Sequence, residues 1–120
     1  ISSAARSDYA EAAAAVLSGS GHAGKVYELA GDSAYTLSEL AAEAARQSGK
    51  PVEYRNIPEA DYKAALLGFG LPEVIAVLLS DSDTAASKGA LFDDGRQLSA
   101  LIGHPTVPLP ASVAAALGKA

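Results

Sequence analysis

Two stretches of this 120-residue chain read as β-strands, KVYELAG at 25–31 and PVEYRNI at 51–57, and nearly everything else reads as helix or turn. The first has β-branched and aromatic residues at its centre. The second sets Val52, Tyr54 and Asn56 against Glu53, Arg55 and Ile57, the alternation of a half-buried or edge strand. Two strands alone make a poor sheet. The order α-β-α-β-α-α-α therefore predicts that both pair with strands from elsewhere, in a further segment of the same protein or in another chain. The start at Ile1 rather than Met sets the same expectation, of a part of a longer protein.

The helices around these strands carry clear end signals. Asp8 and Glu11 have capping-box spacing at the start of a helix over 7–17, whose alanines, Val16 and Leu17 supply a packing face. Thr36 and Glu39 repeat that spacing. Tyr35 and Leu40 hold the hydrophobic-staple positions, and Gly49 followed by Pro51 marks the stop. Pro58 and Pro72 suit the first turns of EADYKAALLGFG and LPEVIAVLLS. The polar stretch 81–95, DSDTAASKGALFDDG, predicts an irregular connection. Asp94 and Gln97 predict a capping box for RQLSALI, HPTVPLP an extended run, and ASVAAAL a last short helix.

Charge and composition exclude several classes. The net charge is −5 and no basic stripe is visible, which disfavours nucleic acid as a partner. Cysteine is absent, so disulfides, thiolate metal sites and cysteine nucleophiles are excluded. No run approaches the roughly 18 apolar residues of a membrane span, and no signal peptide is visible. The expected location is the cytoplasm.

The stretch GSGHAGKV, 19–26, matches both G-x-G-x-x-G and most of a phosphate loop. Both motifs need a strand before the glycines and a helix N-terminus after them. Here a helix precedes and a strand follows, so the glycines lie at the negative end of a helix, and Val26 has no hydroxyl for magnesium. The stretch reads as a helix exit, and no cofactor-binding residue is expected in this segment. His22 and His104 are not placed together, and no metal site is expected. A calcium loop from Asp81 would need Gly and Glu where Ala86 and Phe92 stand. G-x-S-x-G is absent, and no tyrosine has Lys four residues on, so no catalytic residue is identified. Arg6 beside Asp8, at a helix start, is the remaining candidate ligand contact, because such entrances line clefts in α/β folds. The plainer reading is a local cap and ion pair.

In order, ARSDYAEAAAAVL, GHAGKVYELAGDSAYTLSELAAEAARQSGKPVEY, EADYKAALLGFGLPE and SDSDTAASKGALFDDGRQLSALIGHPT resemble the C-terminal part of the NmrA-like, atypical short-chain dehydrogenase family, and within it the bacterial NAD(P)H:quinone oxidoreductases. The resemblance implies an α/β fold, with residues 1–50 as the C-terminal end of a Rossmann-type NAD(P)-binding domain and 51–120 as a small, mostly helical substrate-side lobe. It implies NADP or NAD as cofactor, bound mainly by a missing N-terminal part that carries the glycine fingerprint, and a quinone as hydride acceptor. The isolated piece would then be inactive. Arg6 and Asp8 would contact substrate from the cleft-facing helix start, with Phe69 and Phe92 as apolar walls, although an aromatic at such a position is more often plain core. The alternative within the family is an NAD(P)-sensing regulatory protein without turnover. The choice of quinone, of NADH or NADPH, and of oligomeric state stays open.

Overall fold

A computed structural model of the chain describes residues 1–118. The chain forms two compact units, one of residues 1–53 with the segment from 92 onward, the other of residues 54–91. The sequence reading divided the chain between 50 and 51; in the structure the segment from 92 onward returns to the first unit.

Among the described residues there are six helices: α1 Arg6–Ser18, α2 Leu37–Ser48, α3 Glu59–Gly68, α4 Glu73–Ser87, α5 Gln97–Ile102 and α6 Leu109–Ala116. In the first unit α1 packs on α5 and α2 on α6; in the second α3 packs on α4. The core is built from small side chains. Ala12 of α1, Ala30, Leu98 of α5 and Val113 of α6 are buried in the first unit, and Ala76 of α4 in the second. A buried alanine on one helix of a pair, Ala12 on α1 and Ala76 on α4, leaves room for the partner helix to approach.

Neither expected strand forms. Residues 25–31 and 51–57 lie outside any ladder among the described residues. Strand residues gain from cross-strand pairing, and residues 26–30 exchange no backbone–backbone hydrogen bond among the described residues. Val26 is 85% exposed. The nearest thing to a ladder is short. Ile1 N donates to Tyr35 O (2.8 Å), Tyr35 N returns a bond to Ile1 O (2.9 Å), and Gly31 N donates to Ser2 O (2.9 Å). Glycine is required at 31 by this approach, since a β-carbon there would overlap the Ser3 carbonyl oxygen.

Helix ends follow the local signals in part. At α2 the capping box is made: Thr36 Oγ1 accepts from Glu39 N (3.1 Å) and Glu39 Oε2 from Thr36 N (2.7 Å). Gly49 ends the helix in the left-handed region, φ 70°, with its N–H on Ala45 O. The expected box at Asp8 and Glu11 is not formed. α1 starts one residue earlier, at Arg6 with Ala5 as N-cap, and Asp8 sits buried in its first turn. The Asp94–Gln97 box is absent too. The chain enters α5 through a left-handed Arg96, Gln97 Oε1 accepts from Glu28 N, and Asp93 Oδ1 accepts from Gly95 N. Nor is 81–95 irregular throughout, because α4 continues to Ser87. Its Thr84 and Ser87 hydroxyls bond back to Ser80 O and Thr84 O, so a polar composition that suggests a loop is accommodated within the helix.

Candidate binding groove

One side of the first unit is organised around the strap 103–108 that joins α5 to α6. Two aspartates hold it. Asp8 Oδ2 accepts from Val107 N at 2.8 Å, across 99 positions of sequence. Asp32 Oδ1 accepts from Ser99 Oγ (2.7 Å), Asp32 Oδ2 from Thr106 N (3.0 Å), and the Asp32 amide donates to Thr106 Oγ1 (2.9 Å). The Ser99 hydroxyl, and next the Thr106 amide, hold the Asp32 carboxyl below the usual carboxylate range. At the leading end of the strap His104 Nε2 lies 2.7 Å from Glu11 Oε2.

The strap and the start of α6 form one wall of an open groove of about 1110 Å³. The entrance to α1, from Ser3 to Ser7, and residues 31–35 form the other, with Glu39 and Glu43 of α2 contributing. Arg6 lies on this lining, exposed, with no ion pair or hydrogen bond among the described residues. It stands at the start of α1, where first-turn N–H groups lack intrahelical acceptors and the helix dipole is positive. The hydroxyls of Ser3 and Tyr35, both lining residues, bond to each other. On the acidic side Glu43 is held to about 2 by hydrogen bonds from Arg46 and then Gln47, and Glu39 is lowered by the Thr36 amide. The groove thus has one cation, Arg6, three carboxylates, Asp32, Glu39 and Glu43, and several hydroxyls, and no histidine or lysine among its lining residues. Its chemistry is suited to holding and orienting a polar ligand, and its carboxylates are already engaged by Ser99 and Thr106, by Thr36, and by Arg46 and Gln47. No three His, Asp or Glu side chains gather into a metal site among the described residues.

Of the residues singled out in the sequence, Arg6 is on the groove. Asp8 shares its helix turn but not its role: it neither caps α1 nor pairs with Arg6, and its carboxylate is engaged in fastening the strap. Phe92 is in the same unit, 58% exposed and outside the groove lining, while Phe69 belongs to the other unit and is 82% exposed. Ser3 and Asp32 carry no motif and escaped sequence reasoning, while Tyr35 is legible only as a staple position; the available signal was Gly31-Asp32, a turn-type pair after an extended run. The glycine stretch is the exit of α1. Gly19 N donates to Ala15 O (2.9 Å), Lys25 N to His22 O (3.1 Å), and His22 Nδ1 meets the Tyr27 hydroxyl (2.7 Å). It follows a helix C-terminus, the negative end of the helix dipole, so the residues there do not fit a diphosphate.

No family model matches the chain. The fold is one found within reductases. Triphenylmethane reductase of Citrobacter sp. is 33% identical with a TM-score of 0.90, over 98% of this chain and 41% of that one. A nucleoside-diphosphate-sugar epimerase from Staphylococcus aureus, 23% identical at a TM-score of 0.83, shares the fold alone. More similar is the NADPH-dependent quinone oxidoreductase of Escherichia coli in its complex with NADPH: 61% identity, TM-score 0.95, 98% of this chain and 41% of that one. By sequence, quinone oxidoreductase 2 of Escherichia coli (strain K12) is 63% identical over 113 residues, which is 94% of this chain. The chain covers 40% of the length of that relative.

Proposed function

We propose that this chain is the C-terminal part of an NAD(P)H-dependent quinone oxidoreductase of the NmrA-like, atypical short-chain dehydrogenase family. The observation that carries the reading is the 63% identity to quinone oxidoreductase 2, sustained over 94% of the chain. NADPH is the favoured cofactor, since the similar Escherichia coli enzyme is known in complex with it. In this reading the Rossmann domain and its glycine fingerprint belong to a preceding segment, and residues 1–50 complete that domain while 51–120 serve the substrate side. The protein then works in the cytoplasm, where reduced nicotinamide is supplied.

The glycine stretch 19–26 does not fit the dinucleotide phosphates, and in this reading the hydride chemistry is carried by the cofactor held mainly by the preceding segment. This chain's contribution is positional. Arg6 and the first turn of α1 orient the acceptor, while Asp8 and Asp32 keep the opposite wall of the groove in place. Phe69 and Phe92 stay in the reading as apolar surface on the substrate side.

The test is NADPH oxidation with a simple quinone, by the full-length protein and by the 120-residue chain. Turnover by the full-length protein alone is expected. Turnover by the chain alone would place the cofactor within these residues and overturn the division proposed. If the full-length protein binds NADPH tightly in calorimetry but does not turn over, the regulatory sensor of the same family replaces the reductase.

A further inference from the structure

His104 stands between two acceptors. Its Nδ1 lies 2.8 Å from the carbonyl oxygen of Pro105 and its Nε2 lies 2.7 Å from Glu11 Oε2. A carbonyl and a carboxylate only accept, and a neutral imidazole has a single N–H to offer. Only the imidazolium donates to both. We propose that His104 and Glu11 form a proton-dependent latch, in which the doubly protonated ring ties the leading end of the strap 103–108 to α1 as an ion pair, and loss of one proton removes the charge and leaves a single N–H for two acceptors, which loosens that tie.

The surroundings of the ring favour its charged form. α1 presents Glu11 and, farther off, the buried Asp8; the strap itself presents the Pro105 carbonyl. Asp32, the remaining carboxylate bound to the strap, is engaged by Ser99 and Thr106. No cation is among the groups acting on His104. The Pro105 carbonyl first, and Glu11 second, raise the imidazole above its ordinary value of 6.5. The sign follows. The latch is complete below about pH 6.5 and is lost as the pH rises through the higher value of the folded protein. Thr106 and Val107 keep their bonds to Asp32 and Asp8, which do not involve the His104 proton, so the loosening shifts the strap beside them without detaching it. Pro105 and Thr106 line the groove, so one wall responds to pH. The latch does not depend on which reaction the groove serves.

The experiment is an NMR titration of the His104 ring in the full-length protein, with the backbone amides of Thr106 and Val107 followed alongside. The ring is expected to titrate above 6.5. Glu11→Ala is expected to bring the midpoint down toward that value; alanine is the strongest helix former, so α1 is retained. The two amides are expected to shift along the His104 titration, and to stop doing so in His104→Gln. A midpoint unchanged by Glu11→Ala overturns the latch. So does a titrating ring that leaves both strap amides unmoved, which would make the pair an ordinary surface contact.

Discussion

Asp32 shows what a single residue carries here. Its carboxylate and amide make three bonds to α5 and the strap. Asp32→Ala leaves the Thr106 amide without its acceptor, in a residue that is itself buried. A loss of about 1–3 kcal/mol is expected, read as a lower urea midpoint. Because the folded carboxyl sits below its ordinary 3.8, this contribution is present above that pH and disappears as acid takes the pH down through the lowered folded value. Asparagine retains one acceptor and should lose less, with the acid sensitivity of this site removed. Arg6 is the opposite case. It is exposed and unpartnered among the described residues, so Arg6→Ala should change stability by no more than about 0.5 kcal/mol. If the groove orients the quinone, the same change raises KM for quinone several-fold with little effect on the melting temperature; an unaltered KM removes Arg6 from the site. The two residues differ in how legible they were. A free cation at a helix start is a local feature and could be picked out from ARSDYA. Asp8 was equally visible there, but its partner Val107 lies 99 positions away and Glu11 meets His104 across 93, and no periodicity reports such pairs.

At the scale of elements, local chemistry decided the outcome where both partners lay within one turn and no distant partner competed for them. The Thr36–Glu39 box and the Gly49 stop of α2 were readable because all their bonds span three or four residues. Thr36→Ala is therefore expected to cost about 1 kcal/mol, with a smaller denaturant midpoint and an unchanged m-value, since one cap is lost and the buried surface is the same. Glu39, the other half of the box, is lowered by the Thr36 amide and hydroxyl, so the box weakens as the pH falls through that lowered value. The same pattern at Asp8 and Glu11 misled because tertiary partners outbid the local ones: the Val107 amide took Asp8, and His104 took Glu11. α4 ran on through a stretch whose serines and threonines suggested a loop, since their hydroxyls found acceptors one turn back.

For the whole molecule the strands are the decisive miss. Residues 25–31 have strand composition, and the sequence argument already required partners that these 120 residues do not contain. The structure agrees with that requirement in a specific way: 26–30 make no backbone–backbone bonds among the described residues, Val26 is exposed, yet Ala30 and Gly31 are already buried where the chain meets Ser2 and Ser3. One end of the segment is anchored and the other is open. Buried or not, backbone amides in such a run gain protection only from a neighbouring strand. In the full-length protein, with a preceding sheet to join, the amides of 26–29 should exchange slowly, approaching the protection of the core. In the 120-residue chain they should exchange fast, while the amides of α2, closed by its own capping box, are protected in both. Hydrogen exchange read by mass spectrometry separates the cases. Equal, fast exchange of 26–29 in the two proteins would mean that no strand is supplied, and the assignment of residues 1–50 to a Rossmann sheet would fall with it.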